Sequence, residues 1–289
     1  MWWKQSDITL TKTELISVNN ITGYVLPHAG TTYTGSIISH TLRFKPTNFF
    51  DTVLIIYYPS QQSKNVQTKK KHYYHEYYVV KQSVSHVCRK YWKYGKKRYV
   101  HWNVRDKPTV SSSIDLAKTL VIVSADFSHG KSLQDAIPLE NCAAKSLINR
   151  YIPTPPLPCQ DVLDHKLSFT KLFNLLPQTN QLQWIGRTRS PGEKGVGYLS
   201  FLIRDISAEP LSTPDGVFVT SYDKQMNTRE CLGNWFLNTN IYNEDKVKKL
   251  VDDVYNKSIT TSRLTGGTHL EIPVTHYTIT YLFQESKDT

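Results

Sequence analysis

The sequence predicts an α/β fold, a mixed central sheet flanked by helices, with a smaller C-terminal α+β domain behind it. Three observations predict it. Thr52-Val53-Leu54-Ile55-Ile56-Tyr57-Tyr58 and residues 117–123 are nearly continuous apolar runs, as expected of strands covered on both faces. Helical apolar spacing at Ile37, Ile38, Leu42 and Phe44 lies between the first of these runs and a short strand-like run at 21–26, which makes a strand, helix, strand unit. Pro153-Thr154-Pro155-Pro156-Leu157-Pro158 cannot be helix and reads as a stiff connector.

The elements follow in order. Residues 21–26 and 52–58 are buried strands, with a helix over 34–44 between them. Alternation in Tyr91-Trp92-Lys93-Tyr94 and Arg98-Tyr99-Val100-His101-Trp102 reads as a half-buried hairpin turning at Gly95-Lys96. After the strand at 117–123, residues 139–148 form a helix with Leu139, Cys142, Ala143, Ser146 and Leu147 on one face. A helix over 161–176 and strands at 182–186 and 197–203 close the first domain. A boundary near 205–212 divides the chain into residues 1–205 and 206–289. Beyond it, 216–222 and 275–283 alternate as strands, and 245–256 has helical spacing at Val247, Leu250, Val251 and Val254. No internal repeat and no glycine-rich phosphate loop occurs.

An apolar fraction of 39% and an aromatic fraction of 12% suffice for a core and exclude a disordered chain. The N-terminal Met1-Trp2-Trp3-Lys4 lacks an apolar leader core, and no apolar run reaches membrane-spanning length. A soluble, unprocessed, cytoplasmic protein without a membrane span is expected. Cys88, Cys142, Cys159 and Cys231 are scattered without a C-x-x-C pair, which fits reduced thiols.

The net charge of +11 is concentrated. Between Lys64 and Arg105, twelve lysines and arginines face the single acid Glu76, so the remainder of the chain sums to zero. The same segment holds Tyr73, Tyr74, Tyr77, Tyr78, Tyr91 and Trp92, and interleaved charge and aromatic surface suits single-stranded nucleic acid or an acidic partner. Lys69, Lys70, Lys71, Lys96, Lys97 and Arg98 are the candidate contacts. The alternative is a basic hairpin whose lysines face water.

Two segments address a site: Leu26-Pro27-His28-Ala29-Gly30 and Val123-Ser124-Ala125-Asp126-Phe127-Ser128-His129-Gly130. Each puts a histidine where a buried strand gives way to a loop, and ligand sites of open α/β sheets gather at the carboxyl ends of strands. Extended to Leu26-Pro27-His28-Ala29-Gly30-(x2)-Tyr33-(x)-Gly35-Ser36, the first segment together with the second resembles the signature motifs of the Memo family, whose fold is that of LigB-type class III extradiol dioxygenases. In order, Tyr57-Tyr58-Pro59-Ser60 looks like the family's G-P-S-H turn, Leu133-Gln134-Asp135-Ala136 like its following helix, and residues 192–203 like its closing turn and strand. The resemblance spans about residues 20 to 204. The C-terminal part resembles the AMMECR-like domain through Gly216-Val217-Phe218-Val219-Thr220, through Thr228-Arg229-Glu230-Cys231-Leu232-Gly233-Asn234-Trp235, in which Glu230 replaces a glycine, and through Leu264-Thr265 with Leu270-Glu271-Ile272-Pro273-Val274.

The resemblance implies a site. In those dioxygenases two histidines and a carboxylate hold Fe(II), and in Memo proteins the third position is a cysteine. His28 matches the first histidine, Gln61 stands at the second, and Cys159 is the candidate for the third, with Asp161 beside it as a fallback. His129 matches the acid/base histidine, with Asp126 to orient it. An amide is a far poorer ligand than imidazole, so an iron site is incomplete, and a His plus Cys pair favours Cu(I) or Zn(II). Iron or copper at an incomplete site, or otherwise no cofactor, is the expectation.

The residues also admit plainer roles. His28 can be a packed strand-end histidine, Asp126 or Ser128 a loop cap, and Cys142 and Cys231 core residues. His72, His75, His86 and His101 show no metal-ligand spacing and are not read as ligands. Three functions stay open: a non-enzymatic or redox-linked protein whose vestigial pocket binds a metal, small ligand or protein partner; a metal-dependent oxidoreductase with a degraded site; and an interaction protein acting through the basic segment.

Overall fold

The computed structural model describes residues 2–10, 15–59, 65–67, 72–105, 114–155, 158–163, 165–190, 194–205, 219–221, 269–274 and 277–282. In chain order the elements are β1 (Ile16–Val18), β2 (Ile21–Leu26), α1 (Thr31–Leu42), β3 (Phe44–Pro46), β4 (Thr52–Tyr57), β5 (Asn65–Gln67), β6 (His72–Tyr74), α2 (His75–Lys90), β7 (Arg98–Asn103) and β8 (Thr119–Ser124). They continue with α3 (Leu133–Ile148), α4 (Lys166–Leu175), β9 (Asn180–Arg189), β10 (Gly197–Asp205), β11 (Val219–Ser221), β12 (His269–Val274) and β13 (Tyr277–Leu282).

The central sheet has six strands in the order β7-β4-β8-β2-β10-β9. The first four are mutually parallel, whereas β10 runs antiparallel to both β2 and β9, so the sheet is mixed. Every residue of β4 and β8 is buried, as their unbroken apolar runs require of strands with helices on both faces. One face packs Val53, Ile55, Leu120 and Ile122 against Ile38 and Leu42 of α1 and Val80, Val84 and Val87 of α2. The other packs Leu54, Ile56, Val121 and Val123 against Ala144 and Leu147 of α3 and Phe169 and Leu172 of α4. Each such side chain contributes roughly 1.5–3 kcal/mol by leaving water. In register, Tyr57 pairs with both Asn103 and Ser124, and Ser124 with Leu26, so four parallel strands end on one level. That level is the rim on which the site is built.

Two expectations are corrected. The stretch before β7 is a helix ending in a turn. The N–H groups of Tyr91 and Trp92 both donate to Val87 O, Lys93 takes φ +59°, and the buried Trp92 indole donates to Leu42 O at 3.0 Å. Tertiary burial of Trp92 between α1 and α2 overrides the strand-like alternation, and only residues 98–103 remain extended. Helix α3 begins six residues earlier than expected, at Leu133, and holds Pro138 inside it. Ser132 caps it, accepting the Asp135 N–H at 3.1 Å while its hydroxyl donates to Asp135 Oδ2 at 2.7 Å.

The N-terminal segment crosses the start of α1. Thr31 accepts the Lys4 N–H at 2.9 Å, donates its hydroxyl to Asp7 Oδ2 at 2.8 Å, and its N–H reaches Trp2 O at 3.0 Å. A Cβ at position 35 would lie 2.3 Å from Asp7 O, so only glycine lets this strand of chain come so close. Strands β11, β13 and β12 form a three-stranded sheet, β11 parallel and β12 antiparallel to β13. Residues 206–212 of the expected boundary, the helix at 245–256, Glu230 and Cys231 lie outside the described residues.

Candidate metal centre

Loops leaving β2 and β8 and the first turn of α2 meet at the rim. Pro27-His28 follows β2 directly, Asp126 stands two residues beyond β8, and His75-Glu76 opens α2. His28, Asp126 and Glu76 are buried and His75 is half-buried. Burial of three ionisable groups at a strand end is costly unless they pair or share a cation.

The hydrogen bonds fix how His28 is presented. Ser124, the last residue of β8, donates its hydroxyl to Glu76 O at 2.7 Å. Its only proton is spent there, so at the 3.0 Å contact between Ser124 Oγ and His28 Nδ1 the imidazole is the donor. That assigns the proton to Nδ1 and leaves the lone pair on Nε2, which faces Asp126 Oδ2 at 3.6 Å. A lone pair turned toward a carboxylate calls for a positive charge, a proton or a metal ion. Asp126 also accepts the His28 N–H at 2.9 Å, tying the two loops together. Burial pushes the Asp126 carboxyl above its ordinary range, opposed by that N–H and by the charges of His165, His129 and His75.

His28, His75 and Glu76 each offer one ligand atom, all within 4.8 Å of one another. His75 Nδ1 is 3.3 Å from Glu76 Oε2. Around them, Trp2 stacks on His75 at 4.8 Å, and the His165 ring, preceding α4, meets His28 edge-on at 5.0 Å. Behind the Asp126 loop, Ser128 donates to Glu140, and Glu140 Oε2 accepts from Arg187 at 3.2 Å, all three buried. The N–H of Phe127 donates to Gly197 O at 3.0 Å and that of Gly197 to Ser128 O at 2.8 Å, so the loop is held on both sides.

Of the residues expected from the sequence, the structure brings together His28 and Asp126. It spends Asp126 on His28, while His129 stands exposed at the rim, where its charge still acts on Asp126. Cys159 is corrected as a ligand: it is joined to Cys142 in a disulfide and buried beside Ala143 and Val162, so it has no thiolate to offer. The expectation of reduced thiols fails for this pair for the same reason, whereas Cys88 is free and buried, which drives its thiol up to about 12. Gln61 and Lys69, Lys70 and Lys71 lie outside the described residues.

His75, dismissed for want of spacing, is part of the centre with its neighbour Glu76. The signal was an adjacent His-Glu pair at a helix start, visible only once residues 75–90 are known to be helical. At the far edge of the sheet, Lys96, Lys97 and Arg98 line an open concavity with Asp51 and Thr52. There Lys97 donates to Phe50 O and lies over the Phe50 ring at 4.6 Å, and Arg98 donates to Thr52 Oγ1 at 3.4 Å. Among the described residues no helix is long and apolar enough to cross a membrane. Neither a scan of known protein families nor a search of curated proteins gives a match to this chain.

Proposed function

We propose that this protein binds a divalent first-row transition metal at the carboxyl rim of its central sheet, through His28, His75 and Glu76, in a pocket of Memo-like descent. The observation behind the reading is the 4.8 Å convergence of two imidazoles and one carboxylate from segments nearly fifty residues apart. The donor set fits: two nitrogens and one oxygen suit iron, copper or zinc and are too poor in oxygen for calcium or magnesium. Such an ion supplies Lewis acidity and, where it is iron or copper, one-electron redox chemistry. The chain's own residues do the rest. Ser124 holds the His28 tautomer with its proton on Nδ1, Asp126 clamps the His28 backbone and balances positive charge, and Trp2 covers His75. His129, exposed at the rim, is placed to exchange protons with water.

The test is elemental analysis after anaerobic incubation with iron, copper and zinc. Stoichiometric metal in the wild type, lost in His28→Ala, His75→Ala and Glu76→Gln, is the expected result. Absence of retained metal in the wild type, or equal retention in all three variants, refutes the reading. The same two-imidazole, one-carboxylate composition favours a second reading as an oxidoreductase, which requires metal-dependent oxygen uptake.

A further inference from the structure

On the other side of the first turn of α2 lies a cavity of about 580 Å³, within the roughly 300–1,000 Å³ range of small-molecule sites. Its walls are five tyrosines drawn from four elements: Tyr57 of β4, Tyr73 and Tyr74 of β6, Tyr77 of α2 and Tyr99 of β7. Two groups that can carry charge reach in, Lys81 and His101. The rings are mutually placed: Tyr73 and Tyr77 at 5.4 Å, Tyr57 and Tyr77 at 5.7 Å, His101 and Tyr77 at 5.3 Å. Aromatic walls of this kind hold either a cation or another flat ring.

The resident lysine decides between them. Lys81 Nζ sits 4.8 Å above Tyr73 and 5.5 Å above Tyr77, so the chain's own ammonium already fills the electron-rich faces. A second cation there would meet like charge, and among the described residues no carboxylate lines the cavity to offset it. An anion gains the Lys81 charge and the tyrosine hydroxyls as donors. We propose that this cavity is a binding site for a planar aromatic monoanion, its ring stacked among Tyr57, Tyr74 and Tyr77 and its anionic group on Lys81.

The probe is 2-naphthoate, titrated calorimetrically into the full chain without added metal, beside neutral 2-naphthylmethanol and aliphatic cyclohexanecarboxylate. One saturable site is expected. It should weaken about tenfold or more for the neutral analogue and for Lys81→Met, the size of one charge-assisted hydrogen bond. Lys81→Met keeps the apolar stem of a half-buried side chain, and Tyr74→Ser, at an exposed ring, gives an independent loss of several-fold. Lys96→Met, a charge change outside the cavity lining, should bind as the wild type does. The proposal is overturned by no saturable binding up to about 1 mM, by Lys81→Met binding like the wild type, or by cyclohexanecarboxylate binding as tightly as 2-naphthoate.

Discussion

Replacing Ser124 by alanine isolates the link between sheet and site. The hydroxyl of Ser124 is fully buried, donates to Glu76 O at 2.7 Å and accepts the His28 Nδ1 proton at 3.0 Å. Alanine keeps the Cβ, so the packing change is small, and the fold loses two hydrogen bonds, about 2 kcal/mol together. The larger effect is on His28. Without an acceptor at Nδ1 the imidazole is free to carry its proton on Nε2, the nitrogen that faces Asp126. Loss of such a supporting partner typically weakens metal affinity about 10- to 100-fold, or roughly 1.4–2.7 kcal/mol. The assay is competitive zinc titration against a chromophoric chelator, with urea unfolding of the metal-free variant alongside. If affinity is unchanged while stability falls by the expected amount, the tautomer reasoning is wrong. An affinity loss with Ser124→Ala that Ser124→Thr restores supports it.

The other predictions concern the supports of the site. Arg187→Met leaves the Glu140 carboxylate buried without its ion pair, which should cost roughly 3–5 kcal/mol at about pH 7. Burial raises the Glu140 carboxyl above its ordinary 4.5, so folding favours its neutral form; that stability is full below the unfolded value and is lost as pH rises through the higher folded value. The variant's urea midpoint should therefore recover toward the wild-type value near pH 4.5, and a deficit independent of pH contradicts the assignment. Gly23→Ala puts a Cβ 1.9 Å from Val121 O between β2 and β8; a loss of about 1–3 kcal/mol or more in thermal unfolding is expected, and an unchanged Tm excludes this close approach. Cys159→Ser opens the disulfide to Cys142, 17 residues away, and should lower stability by about 3 kcal/mol while leaving metal content intact. Metal lost with that substitution would restore the cysteine to the ligand set.

Much of the frame was legible because it rests on local pattern. The runs at 21–26, 52–58 and 117–123 correspond to β2, β4 and β8, and the nearly continuous apolar character of the last two specified a sheet covered on both faces. His28 and Asp126 were also legible, since each follows such a run and strand ends are where loops collect polar groups. The basic segment was not. Tyr91, Trp92, Lys93 and Tyr94 alternate as a strand would, yet Trp92 is drawn into the core beside Tyr24 and Leu42, and that burial is a long-range effect. With α2 unseen, His75 and Glu76 stayed an arbitrary pair in a charged stretch.

The sequence by itself determined the layers of the fold and the strand ends at which a site is built, because apolar periodicity and burial are properties of contiguous residues. Only the tertiary structure decided who shares that rim. It brought His75 and Glu76 to His28, gave Asp126 to His28, and joined Cys159 to Cys142. Those choices depend on register and helix placement across separations of 98 residues for His28 and Asp126 and 17 for the cysteines, distances in sequence over which no local pattern encodes proximity.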